Sequence, residues 1–206
     1  MSTPNPITHH IPYNPANLET VSKRPHKRIE IVEPDPTWPT TFIIIEARIK
    51  AVLPKDKFLY IQHIGSTSVP DLPAKDVIDI DVVVPDPTAE ESYVPALESA
   101  GFQFLHRERQ WHEHRFLGCE TPYANVHVFG PDSPEVVRHR LLRDWLSDPA
   151  HESDKELYAS VKRQAARECR EAGETVMEYN DRKEPVIREI LRRVYKAHGL
   201  LGVDHE

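Results

Sequence analysis

The chain has 206 residues, a formal net charge of −7 and a hydrophobic fraction of 39%, which suits one globular domain with an appended helical part. An acidic balance argues against a general nucleic-acid binder. No apolar run reaches the roughly 18 residues of a spanning helix, and the two cysteines, Cys119 and Cys169, have no metal-binding spacing, as in a reduced cytoplasmic protein.

Residues 1–27, rich in Pro and polar side chains, are expected to form a disordered or loosely packed arm. Their first 13 residues lack the apolar stretch of a signal peptide. Residues 28–33 alternate as in a short strand. Thr37 and Pro39 then open a helix, on which Phe42, Ile45, Ile49 and Leu53 recur at helical spacing and which Pro54 ends. Trp38 reads as a core plug.

An alternating run from Phe58 to Ile64 leads into Gly65-Ser66-Thr67. After a turn stiffened by Pro70 and Pro73 comes Lys75, followed by a β-branched strand over residues 77–84 that is interrupted only by Asp79 and Asp81. Alternation places both carboxylates on one face, with their Cβ atoms about 6–7 Å apart, and Ile78, Ile80 and Val82 on the other. Carboxylates within an apolar strand need partners. A hard cation such as Mg²⁺, held by one or two carboxylates together with substrate phosphates and water, is one such partner; without a cation, one carboxyl takes up a proton. A glycine at the strand end allows close backbone approach, and the hydroxyls and N–H groups after it suit a phosphate.

Further along, Thr88 and Glu91 match a capping box for a helix that begins near Ser92 and is capped by Gly101. Strands are expected over residues 102–107, 114–119 and 123–129, as a meander added to the central sheet. In the last of these, Asn125, His127 and Phe129 share a face, which brings His127 into the site if that face also carries Asp79 and Asp81. His112 and His114 suggest zinc, but no third ligand follows at a suitable spacing. Arg115 is a candidate phosphate clamp. Ser133-Pro134 starts a helix, and a long helix ends near Gly173. A last helix spans residues 179–198, with Lys183 in its first turn, where a cation opposes the helix dipole. The domain is therefore expected over residues 28–198, with a frayed tail at 199–206.

The pattern His63 to Thr67, Val69-Pro70, Lys75 and Ile78 to Val84 resembles the GrpB family, a branch of the nucleotidyltransferase superfamily. Pro34, Trp38, His127-Val128, Arg143-Asp144-Trp145-Leu146, Tyr158 and Lys162 add to the resemblance. It implies an α/β (α+β) fold, a mixed sheet flanked by helices, and Mg²⁺-dependent transfer of a nucleotidyl group from ATP or another nucleoside triphosphate. Gly65 and Ser66 would hold the triphosphate, and Asp79 and Asp81 the metal. The family more often has His at position 125, and the superfamily's third acidic residue is replaced here by His127. The resemblance and the residue reading together give an expected site of Asp79, Asp81 and His127 for catalysis, with Gly65, Ser66, Thr67, Lys75, Arg115 and Lys162 on the nucleotide. The partner is a small-molecule nucleotide, with no membrane or nucleic acid. Two alternatives stand beside this reading: a non-catalytic nucleotide- or coenzyme-binding module linked to coenzyme A metabolism, and a metal-dependent hydrolase.

Overall fold

The computed structural model describes residues 5–25 and 27–201. Six strands form one mixed sheet in the order β1-β4-β5-β6-β3-β2. They are β1 (Glu19–Thr20), β2 (Tyr60–Ile64), β3 (Ile78–Val83), β4 (Gln103–Glu108), β5 (His114–Glu120) and β6 (Tyr123–Phe129). The β4-β5-β6 meander is antiparallel, and β6 runs parallel to β3. The helices are α1 (Trp38–Val52), α2 (Val94–Ser99), α3 (Pro134–Ser147), α4 (Glu152–Ala172) and α5 (Val176–Ala197).

The strand periodicity sets the layers. Ile78, Ile80 and Val82 of β3 join Val126 and Val128 of β6 and Leu117 of β5 in a buried cluster with Trp38, Ile45 and Ile49 of α1 and Leu97 of α2. The alternate positions, among them Asp79, Asp81, Asn125 and His127, are left to the opposite face. A second cluster joins Leu146 of α3, Tyr158 of α4 and Ile190 and Val194 of α5, and it takes in Val69 and Leu72 from the turn after β2. That turn is thus plugged into the helices, and Gly65 and Ser66 sit where sheet and helices meet.

Several local expectations are corrected. Residues 28–33 contribute one isolated bridge, Val32 to Ala74, and no strand; Ile29 is instead drawn onto Ala165, Ala166 and Cys169 of α4. The Thr88–Glu91 capping box does not form, because Asp86 Oδ1 accepts both the Thr88 amide and the Thr88 hydroxyl. Ser133 precedes α3 without a side-chain cap bond. α5 starts at Val176 behind a capping box of Thr175 and Glu178, so Lys183 lies inside the helix and its conflict with the dipole disappears.

The N-terminal segment lies along the domain. β1 extends the sheet edge by pairing Glu19 and Thr20 with Arg107 and His106. The Arg138 guanidinium of α3 donates to the carbonyls of Pro6, Ile7 and His9. Of the expected tail, residues 202–206 lie outside the described residues.

Candidate functional site

Gly65 ends β2 with φ of +68°, a conformation that L side chains rarely adopt. A Cβ there would lie 2.5 Å from Asp79 Oδ2. The glycine therefore lets the turn close against the carboxylate on the neighbouring strand. The side chain of Thr67 is buried and used up locally: its hydroxyl donates to Val77 O at 3.1 Å and contacts His63 Nε2 at 3.0 Å. Burial, reinforced by Arg143, pushes the His63 imidazole down to about 4, so it is a neutral ring stacked on Phe42.

The two aspartates share a face, as the alternation required, but their surroundings differ. The parallel register sets Asp79 beside Asn125 and Asp81 beside His127. Asp81 is fully buried with both oxygens engaged. Gln62 Nε2 donates to Oδ2 at 2.9 Å, and His139 Nδ1 lies 3.1 and 3.0 Å from Oδ1 and Oδ2. Burial pulls the His139 imidazole down, but the Asp81 carboxylate outweighs it and raises the group to about 9. Asp81 and His139 are therefore an ion pair at neutral pH.

Asp79 is the more open of the two. Asn125 Nδ2 donates to its Oδ1 at 2.7 Å. Its Oδ2 faces Gly65 with no hydrogen-bond partner among the described residues and is not sealed from solvent. Burial pushes the Asp79 carboxyl above the usual carboxylate range, against the pull of the Asn125 bond, Lys75, Lys183 and His139.

Three lysines surround this carboxylate. Lys75 and Lys183 are half-buried, with their Nζ atoms 5.0 and 4.7 Å from the Tyr179 ring centre. Burial and the neighbouring Lys183 lower Lys75 to about 8, and burial lowers Lys183 to about 8, with Asp79 opposing in both cases. Lys162 is buried, donates to Pro73 O at 2.6 Å and sits over the Tyr158 ring. Burial first, then Lys183, hold it well below the usual lysine range. Burial raises Tyr158 to about 12, although a hydrogen bond with Ser66 acts in the other direction. Ser66 is thereby tied to Tyr158, the ring on which Lys162 sits.

Beyond Asp81 runs a chain of imidazoles. Glu108 Oε2 lies 2.7 Å from His114 Nδ1, and His114 Nε2 lies 3.0 Å from His127 Nδ1. Burial drives both histidines well below their usual range, each with the other histidines adding. Glu108 as acceptor fixes the protons: His114 carries its proton on Nδ1, and His127 donates from its own Nδ1. The Nε2 lone pair of His127 is then left free, without a protein partner among the described residues.

Of the residues picked from sequence, the structure gathers Gly65, Ser66, Lys75, Asp79, Asp81, His127 and Lys162 at one face. Arg115 is not among them. It is fully buried on the core side of β5, donating from Nε to Glu90 at 2.6 Å and from Nη1 to Glu113 O. His112 falls in the turn before β5 at φ of +55°, and no group of three or more His, Cys, Asp or Glu side chains among the described residues could hold a metal ion.

The sequence reading missed Gln62, His139 and Arg24. Arg24 crosses from the N-terminal segment, donates to Cys119 O and to Ala124 O at 2.8 Å, and forms a short bond from Nη2 to Asn125 Oδ1. It lies against Gly118, where a Cβ would come 2.3 Å from Nη1. Because Arg24 takes the amide oxygen of Asn125, the amide nitrogen must turn to Asp79. His139 and Arg24 left no local signal, since their partners are 58 and 101 positions away.

A family model described as "GrpB protein" matches residues 28–193. A UPF0157 protein of Halalkalibacterium halodurans is 43% identical over 173 residues, covering 82% of this chain and 85% of that protein. One from Streptomyces coelicolor is 36% identical, covering 79% and 82%. A protein named dephospho-CoA kinase in Mycolicibacterium paratuberculosis is 31% identical over 81% of this chain but only 46% of its own length. The crystal structure of the conserved protein GrpB from Enterococcus faecalis superposes with a TM-score of 0.68 at 25% identity, covering 82% of this chain and 99% of that one. The chain belongs to the GrpB family.

Proposed function

We propose that this member of the GrpB family binds a nucleoside triphosphate such as ATP at the Gly65–Ser66 corner, in the manner of a nucleotidyltransferase. One observation carries the reading: Lys75 and Lys183, both at the Tyr179 ring, act on the open carboxylate of Asp79, which stands beside Gly65 where a Cβ would clash. Lys75 and Lys183 set two ammonium groups against one open carboxylate, so the missing partner is a polyanion. A triphosphate supplies that charge, and partial burial of the lysines strengthens each contact.

Mg²⁺ fits this site as a companion of the triphosphate. Asp79 Oδ2 is the one site carboxylate oxygen without a protein donor, and Mg²⁺ commonly needs only one or two carboxylates besides phosphates and water. When bound, the ion would offset charge on the phosphoryl group being transferred. Asp81 does not suit a second metal, because Gln62 and His139 already hold both its oxygens. In the transfer reaction proposed here, the chain's own part is to hold the phosphates with the lysines and Ser66 and to keep His127 neutral with Nε2 as a base for an acceptor's proton.

A second reading, a binding module without turnover, is favoured by β6, whose residues beside the two aspartates are Asn125 and His127 with no third carboxylate. A coenzyme related to coenzyme A is the ligand suggested under it by the relative named dephospho-CoA kinase. Calorimetry with ATP in the presence and absence of Mg²⁺ tests binding. The expected result is Mg²⁺-assisted affinity in the wild type, with the Mg²⁺ effect lost in Asp79→Asn; equal affinities in both proteins would end the metal role. Labelled nucleotide that is bound but never converted, with any acceptor tried, decides for the module.

A further inference from the structure

A separate cavity of about 850 Å³ lies between α3, α5 and the β4–β5 turn, roofed by N-terminal residues 8–17. That volume is within the range of small-molecule sites, roughly 300–1,000 Å³. The roof lies outside residues 28–193, the part that matches the family model. The body of the cavity is apolar, with Trp111, Leu142, Ile187 and Tyr195 in its walls.

Its polar groups are unbalanced in one direction. Each carboxylate of the wall has a basic side chain on one oxygen: Glu135 has Arg138, Glu184 has His10, Glu189 has Arg193 and Glu108 has His114. Donors remain unpaired. His139 spends Nδ1 on Asp81 and has nothing on Nε2, the Trp111 indole nitrogen has no acceptor, and Arg192 has no carboxylate, all among the described residues. None of these atoms is sealed from solvent. Paired carboxylates and unpaired donors on an apolar wall define the complement of the cavity.

We infer that this cavity is a second small-molecule site, one that takes an anion with an apolar body (an aryl or alkyl carboxylate, sulfonate or phosphate) whose charged end meets the free donors of His139, Trp111 and Arg192. None of Lys75, Lys162 or Lys183 lines it, so it stands independently of the triphosphate reading. Its floor nevertheless touches that site through the His139–Asp81 pair.

The test uses the full chain and two dyes with nearly the same body, anilinonaphthalene sulfonate and the uncharged N-phenylnaphthylamine. Wild type should bind one sulfonate per chain saturably, with energy transfer from tryptophan, and bind the uncharged dye about tenfold more weakly, the loss of one charge-assisted contact. Leu142→Trp, which puts a bulkier ring into the cavity, should weaken sulfonate binding at least about tenfold and leave ATP titrations as they were. The proposal fails if wild type shows no saturable sulfonate binding, if the uncharged dye binds as tightly, or if folded Leu142→Trp binds the sulfonate unchanged. The two-dye comparison needs no variant, so it decides the matter even if Leu142→Trp does not fold, and loss of ATP binding alone leaves it untouched.

Discussion

Replacing Lys183 with Met tests the charge argument most directly. Lys183 and Lys75 flank the ring of Tyr179, and each falls from 10.5 to about 8. A group depressed in the folded state opposes folding in full below its folded value, and the penalty fades as pH rises towards the unfolded value. Each unit is worth about 1.4 kcal/mol, which sets a ceiling of about 3 kcal/mol for Lys183 at neutral pH; its partial exposure reduces this to about 1–2 kcal/mol. Methionine keeps the stem on Tyr179 and removes the charge. Lys183→Met should therefore be more stable than wild type at pH 7, by roughly 3–6 °C in Tm for a domain of this size. The gain should shrink towards zero by pH 10, where wild type has also lost the charge. Affinity for tripolyphosphate should fall about 10- to 100-fold, the value of one charge-assisted contact. Urea denaturation at the two pH values and calorimetry with tripolyphosphate measure both effects. A variant that is less stable at pH 7, or that binds tripolyphosphate as wild type does, would refute the view that the lysines are held apart for an anion.

Other residues give further checks. Gly65→Ala combines a left-handed backbone with a Cβ 2.5 Å from Asp79 Oδ2; it should cost about 1–3 kcal/mol in denaturant unfolding and abolish ATP binding, and a loss below about 0.5 kcal/mol contradicts the close approach. Arg24→Ala removes the donor that orients Asn125 and should lower stability by roughly 2 kcal/mol while weakening ATP; unchanged ATP affinity would detach the N-terminal segment from the site. Asp81→Asn should lower the His139 pKa from about 9, because burial is then opposed only by the weaker fields of Glu135 and Asp79. In wild type the raised value makes this pair's stabilisation complete below pH 6.5 and lost as pH climbs through 9. Histidine ring signals followed by NMR across pH 5–10 read the shift, and an unmoved His139 signal refutes the pairing.

The sequence makes the framework of the site legible because its signals are local. Alternation in β3 placed Asp79 and Asp81 on one face, and the Gly65 strand end announced a close approach that the structure bears out at φ of +68°. The meander ending at Phe129 and the helix ending at Gly173 follow from turn and cap residues. Arg115 was misplaced although a local signal existed: it alternates with Leu117 and Cys119, both in the core, so its strand phase pointed to the apolar face. Pairing with Glu90 is what makes that burial tolerable. The identities of the Asp81 partners were not legible, because Gln62 and His139 reach it only after β2 has paired and α3 has docked.

The two aspartates show why position in the sheet matters more than the Asp-x-Asp pattern itself. The β2–β3 and β3–β6 registers place Asp81 between Gln62 and His127, with His139 of α3 on the carboxylate. Two steps back along the strand, the same registers place Asp79 between Ile64 and Asn125, where the chain turns at Gly65. One carboxylate is therefore closed by the fold and contributes to stability, while the other is left open at a corner bounded by lysines. Those lysines lose part of their basicity in the absence of a partner, which is a cost the folded domain carries. An anion that enters restores their charge, so binding takes up protons, and its affinity must fall as pH rises above about 8. Apolar replacement of Lys75 or Lys183 should therefore raise stability with or without a ligand, and the loss of the anion with each replacement is what shows that they are held for binding.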